Sequence, residues 1–415
     1  MDARALETTC CIAGGGPAGL MLGLLLARAG VDVVVLEKHD DFLRDFRGDT
    51  IHPSTIDLLD ELGLQEAFLR LPHTRVETLD VVVAGNRITP IDFRTLRGGT
   101  RFLALMPQWD FLDFIAREAA RLPHFRLIKG AKVTGLRRKW GRVVGVTARG
   151  SEGEFTVRAH LTVAADGRGS VVRRSAGLPV AEFGVAVDVL WFHLPTVGEV
   201  RHTLAYMDGR SVVLTIPRDG YFQAGMIIPK GAFTSMQEEG LAAFQRRLAE
   251  TASVLAPVVG SLESWSQVKL LTVQVNRLRR WYAPGLLCIG DAAHAMSPAF
   301  GVGVNYAIQD AVATANLLAA GLRGGTVTTR ELLAVQRRRL PAVRIMQPLQ
   351  LQLHRRIAKP GSGFRLPHPL PPGPALALRL VLPLARGLTA RLVGRGIRPE
   401  HISPELRRLF ESVGG

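Results

Sequence analysis

The sequence predicts an α/β fold in which a doubly wound parallel sheet is interrupted by an antiparallel sheet and followed by a C-terminal helical extension. Three observations carry that expectation. A strand–glycine turn–helix–strand pattern opens the chain. Two later stretches break into short alternating apolar runs. A further apolar strand near residue 288 runs into a Gly-Asp pair, a glycine-rich loop and another helix. At 415 residues the chain is too long for one compact core and suits two domains with an extension.

Each element has its own signal. Residues 8–13 read as an apolar strand, 14–19 as a turn, 20–29 as a buried helix capped by Gly30, and 31–36 as a second strand ending at Glu37. This is a βαβ unit with a right-handed crossover. Residues 52–62 and 110–122 show helical spacing, with Phe111, Phe114 and Ile115 on one face of the second. Residues 129–165 read as strands with turns at Gly141 and at 150–153. Residues 76–105 and 180–275 read as antiparallel sheet, with one helix at 240–252. A parallel-sheet domain of 1–75, 106–179 and 276–345 is therefore expected, with a β-sheet substrate domain of 76–105 and 180–275 and an extension of 346–415.

Composition narrows the function classes. The chain is 47% apolar and 21% charged, which is globular rather than disordered. The net charge is +16, but the arginines are scattered and not interleaved with several aromatics, so nucleic-acid binding is not expected. No apolar run reaches the roughly 18 residues of a membrane span. Residues 1–9 include Asp2, Arg4 and Glu7, unlike a secretory signal. Three cysteines, Cys10, Cys11 and Cys288, make neither a disulfide scaffold nor a cysteine-rich zinc site, and no metal site is expected. A reducing cytoplasm is the expected compartment. The oligomeric state is left open between monomer and homodimer.

The chemistry-bearing motifs come next. Gly14-x-Gly16-x-x-Gly19 between strand and helix is the dinucleotide fingerprint. Gly14 permits the tight turn, Gly16 the approach of a pyrophosphate, and Gly19 close helix–strand packing. The phosphates would sit at the helix N-terminus. Glu37, 23 positions after Gly14, can accept from an adenosine ribose, with Lys38 beside it. Farther on come Gly290-Asp291-Ala-Ala-His294, then Ser297-Pro298-Ala-Phe-Gly301-Val-Gly303-Val304-Asn305 and a helix at 306–318. A third stretch runs Asp166-Gly167-Arg-Gly-Ser170.

These three motifs, in register over residues 8 to about 320 and joined by Arg47-Gly48 and Gln108, resemble the FAD-dependent aromatic hydroxylases. These are single-component flavoprotein monooxygenases of the para-hydroxybenzoate hydroxylase fold, with a Rossmann-like FAD-binding domain. The resemblance fades after about residue 345. It implies that Asp291 holds the ribityl chain of FAD, that Arg47 and Gln108 reach its ribityl and pyrophosphate region, and that Val133 offers backbone to the adenine. It places the backbone from Gly301 to Asn305, Gly303 and Val304 included, against the flavin at a helix N-terminus. Pro298 would sit beside C4a. Asp166 either bridges toward the NAD(P)H route or caps the turn at Gly167. His52 is either a general base facing the flavin or a structural first-turn histidine.

By the same resemblance, NADH or NADPH is a transient reductant, O2 a co-substrate and a C4a-hydroperoxyflavin the oxygenating species. The aromatic and apolar residues of the presumed substrate sheet point to a fairly large, mostly apolar aromatic or polycyclic phenol as substrate, not a small charged benzoate. An oxidase or dehydrogenase without oxygen insertion, and a non-catalytic flavin-binding redox-responsive protein, are the alternatives. The Trp-x-Trp signature of halogenating relatives is absent, since Ser266-Gln267 follow Trp265, and no lysine stands in the catalytic setting. Trp191, Tyr206, Met207, Phe222 and Gln223 are the candidate substrate contacts, although strand alternation turns some of them away. Arg210 and Arg218 could hold a substrate carboxylate. The Leu-rich residues 375–397 either pack over the substrate domain or make peripheral membrane contact.

Overall fold

The computed structural model describes residues 5–43, 50–83, 85–196, 203–209, 211–218, 220–359, 363–364 and 385–414. Five parallel strands form the centre of its largest sheet. They lie in the order Leu286–Cys288, Gly153–Ala164, Ala5–Ala13, Val33–Leu36 and Phe125–Ile128. The first strand buries Cys10 to Ala13 completely, and Val33–Leu36 is buried throughout, as expected of strands covered on both faces. An antiparallel hairpin, Lys132–Lys139 with Arg142–Gly150, extends from Gly153–Ala164. Helix Pro17–Arg28 begins with proline at its first turn and buries every residue from 18 to 27. It packs between helices Gly303–Arg323 and Gln108–Ala120. The chain leaves the first strand toward one side of the sheet and returns on the other. The carboxyl ends at Ala13 and Ala164 therefore border a switch-point crevice.

The second large sheet has seven strands in the order Lys269–Leu271, Val187–Pro195, Tyr221–Pro229, Val212–Pro217, Thr203–Met207, Thr78–Val83 and Asn86–Asp92. Two separate excursions of the chain build it. All its neighbours are antiparallel except Thr203–Met207 with Thr78–Val83. That pair joins strands from different excursions, so no hairpin turn sets their relative direction. One face packs Leu190, Phe192, Leu194, Phe222 and Met226 against Phe244 and Leu248 of a covering helix. The helix expected at 240–252 is present as Leu241–Thr251, and a second helix, Phe233–Glu239, precedes it, with Gly240 at φ +91° between them. The opposite face, with Val189, Trp191, Ile216 and Ile227, turns toward the parallel-sheet core. A small sheet of Thr50–Ile51, Leu103–Leu105 and Thr74–Val76 lies where the chain crosses between the two.

The C-terminal part joins both sheets. Helix Thr329–Ile357 packs on Gly303–Arg323. Of the Leu-rich segment, residues 375–384 fall outside the described residues. Residues 385–394 are helical and lie on strand Asn86–Asp92, where Arg386 Nε donates to Thr89 O (3.0 Å) and Thr389 Oγ1 to Pro90 O (2.6 Å). No described helix is long and apolar enough to cross a membrane.

Candidate active site

A continuous cavity of about 1540 Å³ runs from the crevice to the inner face of the seven-stranded sheet. A single drug-sized ligand occupies roughly 300–1,000 Å³, so there is room for a dinucleotide and a second molecule. Its nucleotide end is built by the glycine turn. Gly14 adopts φ +106°, and a Cβ there would stand 2.4 Å from Ala165 O. At Gly19 a Cβ would stand 1.9 Å from Gly14 O, whereas at Gly16 it would meet nothing within 4 Å. The turn is thus closed against protein at its ends and open at its middle, toward the N-terminus of helix Pro17–Arg28. Glu37 ends the second strand and accepts from Gly15 N (2.8 Å) and His39 N (3.1 Å). Lys38, Gln108 and Val133 line the same end. Arg47 lies outside the described residues.

The two acidic motifs meet in the middle of the cavity. Asp166 caps helix Val171–Ser175, accepting from Ser170 Oγ and from the N–H groups of Val171 (2.8 Å) and Val172 (3.2 Å), while still lining the wall. The observed contacts are those of a helix cap. Arg173 Nη1 donates to Ala292 O (3.2 Å), tying this loop to the Gly-Asp loop. Asp291 lines the cavity with Arg168 Nε 3.5 Å from its carboxylate.

Beyond Asp291 a buried charge network supports the chain. Asp310 accepts from Gly290 N (3.0 Å), pairs with His294 Nε2 (2.6 Å) and takes a bond from Arg339 Nε (3.0 Å). Burial pushes the Asp310 carboxyl up, but His294, Arg339 and the Gly290 N–H outweigh it and hold it below the usual carboxylate range. His294 therefore packs and hydrogen-bonds locally.

The glycine-rich loop follows. Pro298, Gly301, Gly303 and Val304 line the cavity, as does the ring of Phe300, whose φ is +66°. Gly301 adopts φ +63°, and a Cβ there would stand 2.4 Å from Thr50 Oγ1. The first N–H groups of helix Gly303–Arg323 carry its positive dipole end here. The Asn305 side chain does not line the cavity. It is buried, accepting from Ser54 Oγ (2.6 Å) and Thr55 Oγ1 (3.2 Å).

His52 is not placed to take a substrate proton. Its Nδ1 lies 2.8 Å from Val393 O and its Nε2 3.1 Å from Gly301 O, so both ring nitrogens face backbone carbonyls. Burial pushes its pKa down to about 4 against those two contacts. The ring is a bracket between the glycine-rich loop and the C-terminal helix.

Strand alternation divides the substrate candidates. Trp191 and Met207 line the cavity, the indole lying over Gly225, where a Cβ would stand 2.8 Å from the ring. Tyr206 and Phe222 do not, because they point to the opposite face and pack under the covering helices. Gln223 is buried beyond the wall and accepts from His193 Nε2 (2.9 Å). Arg210 lies outside the described residues and Arg218 does not line the cavity.

Several wall residues escape sequence reasoning. Thr389, Leu392 and Val393 come from the C-terminal helix, and Leu349, Leu353 and His354 from helix Thr329–Ile357. Their spacing is that of an ordinary amphipathic helix, and no motif marks them.

The open middle of the glycine turn, two helix N-termini and Asp291 along one cavity fit FAD. A family model described as FAD binding domain matches residues 7–347. The chain is 34% identical over 362 residues, 86% of each chain, to 6-methylpretetramide 4-monooxygenase of Streptomyces rimosus. It is 28% identical over 334 residues, 75% of this chain and 63% of the other, to a 12-dehydrotetracycline 5-monooxygenase/anhydrotetracycline 6-monooxygenase of Streptomyces rimosus subsp. rimosus. The solved structure of OxyS anhydrotetracycline hydroxylase from Streptomyces rimosus superposes with a TM-score of 0.73 at 23% identity, covering 95% of this chain and 77% of that one. The chain belongs to the FAD-dependent aromatic hydroxylases and is an FAD-dependent monooxygenase.

Proposed function

We propose that the protein uses NADH or NADPH and O2 to place one oxygen atom on a polycyclic phenol held between the flavin site and the seven-stranded sheet. The composition of the cavity wall carries this reading. Its charged side chains, Glu37, Lys38, Lys132, Asp166, Arg168 and Asp291, all come from the parallel-sheet side and none from the seven-stranded sheet. The sheet side presents Val189, Trp191, Met207, Leu214, Ile216 and Ile227. A small benzoate would need an arginine fork in a dry pocket, and among the described residues no sheet arginine lines this one. An aromatic skeleton gains roughly 25 cal/mol per Å² of apolar area buried there. The relatives named for 6-methylpretetramide and for anhydrotetracycline support a large ring system.

Bound FAD would supply electron transfer from NAD(P)H and activation of O2 at C4a. The chain's own residues do the rest. Glu37 would accept from the ribose and Asp291 from the ribityl hydroxyls, and the open turn at Gly16 would admit the pyrophosphate. The first N–H groups of helix Gly303–Arg323 would stabilise negative charge on the bound flavin. Pro298 and Phe300 wall the reacting edge, and the sheet excludes water from it. The test follows NADH and NADPH oxidation across phenolic acids and polycyclic phenols, with mass spectrometry for a gain of one oxygen. Coupled hydroxylation of a polycyclic phenol is expected. Tight coupling confined to small benzoates would overturn the substrate assignment. Reductant-driven oxygen uptake with no gain in substrate mass across the panel would favour an oxidase.

A further inference from the structure

Two buried side-chain nitrogens of cavity-lining residues have no hydrogen-bond partner, Trp191 Nε1 on the sheet side and His354 Nδ1 on helix Thr329–Ile357. His354 is only 5% exposed, and its Nε2 lies 2.8 Å from Ser297 Oγ, next to Pro298. Ser297 Oγ already accepts from Ala299 N (3.0 Å), so its own proton is available, and His354 Nε2 is the partner within range. That arrangement leaves the imidazole proton on Nδ1, as a donor without an acceptor. Burial pushes the ring's pKa down to about 4, so it is neutral near pH 7.

Gln350, one turn earlier on the same helix face, holds the loop in place. It accepts from Ser297 N (3.2 Å) and donates to the carbonyls of Ser297 (3.1 Å) and Ala299 (3.0 Å). The loop that borders the flavin site is therefore held against this helix face, beside His354. An unsatisfied buried donor is costly, and native structures retain few of them. A ligand in the cavity is the available source of the missing acceptor.

We propose that His354 is a specificity-determining residue whose Nδ1–H donates to an oxygen of the aromatic substrate, a carbonyl or an ionised phenol. The inference rests on the reading of the apolar end as the substrate site. Nδ1 is shielded from water in the ligand-free chain, so the proposed bond requires the ring to turn about its Ser297 contact to meet the arriving oxygen. Apolar burial on the sheet sets affinity for the ring system, and His354 sets which edge of it faces the loop.

The test titrates FAD-loaded wild type, His354→Phe and His354→Gln with 1,8-dihydroxyanthraquinone by calorimetry. His354→Phe is expected to weaken binding about tenfold, the loss of one buried hydrogen bond, with flavin content kept and the melting temperature lowered because Ser297 Oγ loses its partner. His354→Gln, which retains an amide donor, is expected to recover most of the loss. Equal affinity of wild type and His354→Phe overturns the proposal. Wild-type holoenzyme labelled with ¹⁵N-histidine gives a second readout that needs no folded phenylalanine variant. The His354 Nδ1 resonance, assigned by its absence in His354→Gln, is expected to shift on saturation, and an unmoved resonance overturns the proposal. Failure of the wild type to bind the probe at all would overturn the substrate reading, and this inference with it.

Discussion

Gly16 and Gly19 differ in what an added methyl group would meet, and that difference separates cofactor binding from folding. Gly19→Ala drives a Cβ into Gly14 O and should destabilise the apoprotein by more than the 1–3 kcal/mol typical of overpacking. Gly16→Ala meets no protein atom, so its apoprotein should melt as wild type does while FAD affinity falls. Denaturation of the two apoproteins and a flavin titration of the second decide this. Glu37→Ala should weaken FAD by about 1–3 kcal/mol, the scale of a hydrogen bond to a charged group. His52 makes a different prediction. Its folded pKa, about 4, lies below its ordinary 6.5, so the unfolded chain binds the extra proton between those values. Stability contributed by the neutral ring is complete above about pH 6.5 and is lost as pH falls toward 4, on the order of 3 kcal/mol in all. His52→Gln should flatten melting temperature against pH in that window and leave the pH profile of turnover unchanged. A shifted turnover profile would restore His52 as a catalytic base.

Among the elements, helix Thr329–Ile357 both lines the cavity and ties the C-terminal part to it. Arg339 is 1% exposed and holds Asp310 and, at 3.4 Å, Glu400, linking this helix to Gly303–Arg323 and to the chain after residue 398. Removing one partner of a buried pair leaves a charge uncompensated, so Arg339→Met should cost about 3–5 kcal/mol. The same network gives an acid-side signature. Asp310 has a depressed folded pKa, so its contribution is present above its ordinary value, near 3.8, and is lost as pH falls through the folded value. Asp310→Asn should remove that part of the acid transition in a pH-dependent melt. The βαβ element was legible because residues 8–37 carry a period, a turn and a terminal acid together. The place of the C-terminal helix at the site was not, because its contacts with Thr89, Pro90 and His52 span about 300 residues of sequence or more and run through backbone carbonyls that leave no side-chain pattern.

Across the whole molecule, one cavity is bounded by both sheets and by the C-terminal part. FAD binding only the folded chain should raise its stability by about 2.7 kcal/mol at a hundred times Kd. Asp291→Ala should remove most of that gain and give a weakly coloured protein, since the ribityl hydroxyls lose a charged acceptor. Full colour with an unchanged thermal shift would show that the Gly-Asp motif does not hold the cofactor.

The sequence by itself determined the parallel sheet, the glycine turn, the acid that ends the second strand and the Gly-Asp and glycine-rich loops. Each is specified by residues close together in the chain, where backbone geometry leaves few alternatives. Tertiary structure decided which face of each substrate strand lines the cavity, turning Trp191 and Met207 inward and Tyr206 and Phe222 away. It also set His52 between two carbonyls and brought His354 to Ser297 across 57 residues. A period of two leaves the choice of face to whatever packs against the sheet, and a buried histidine takes its role from neighbours that only folding supplies.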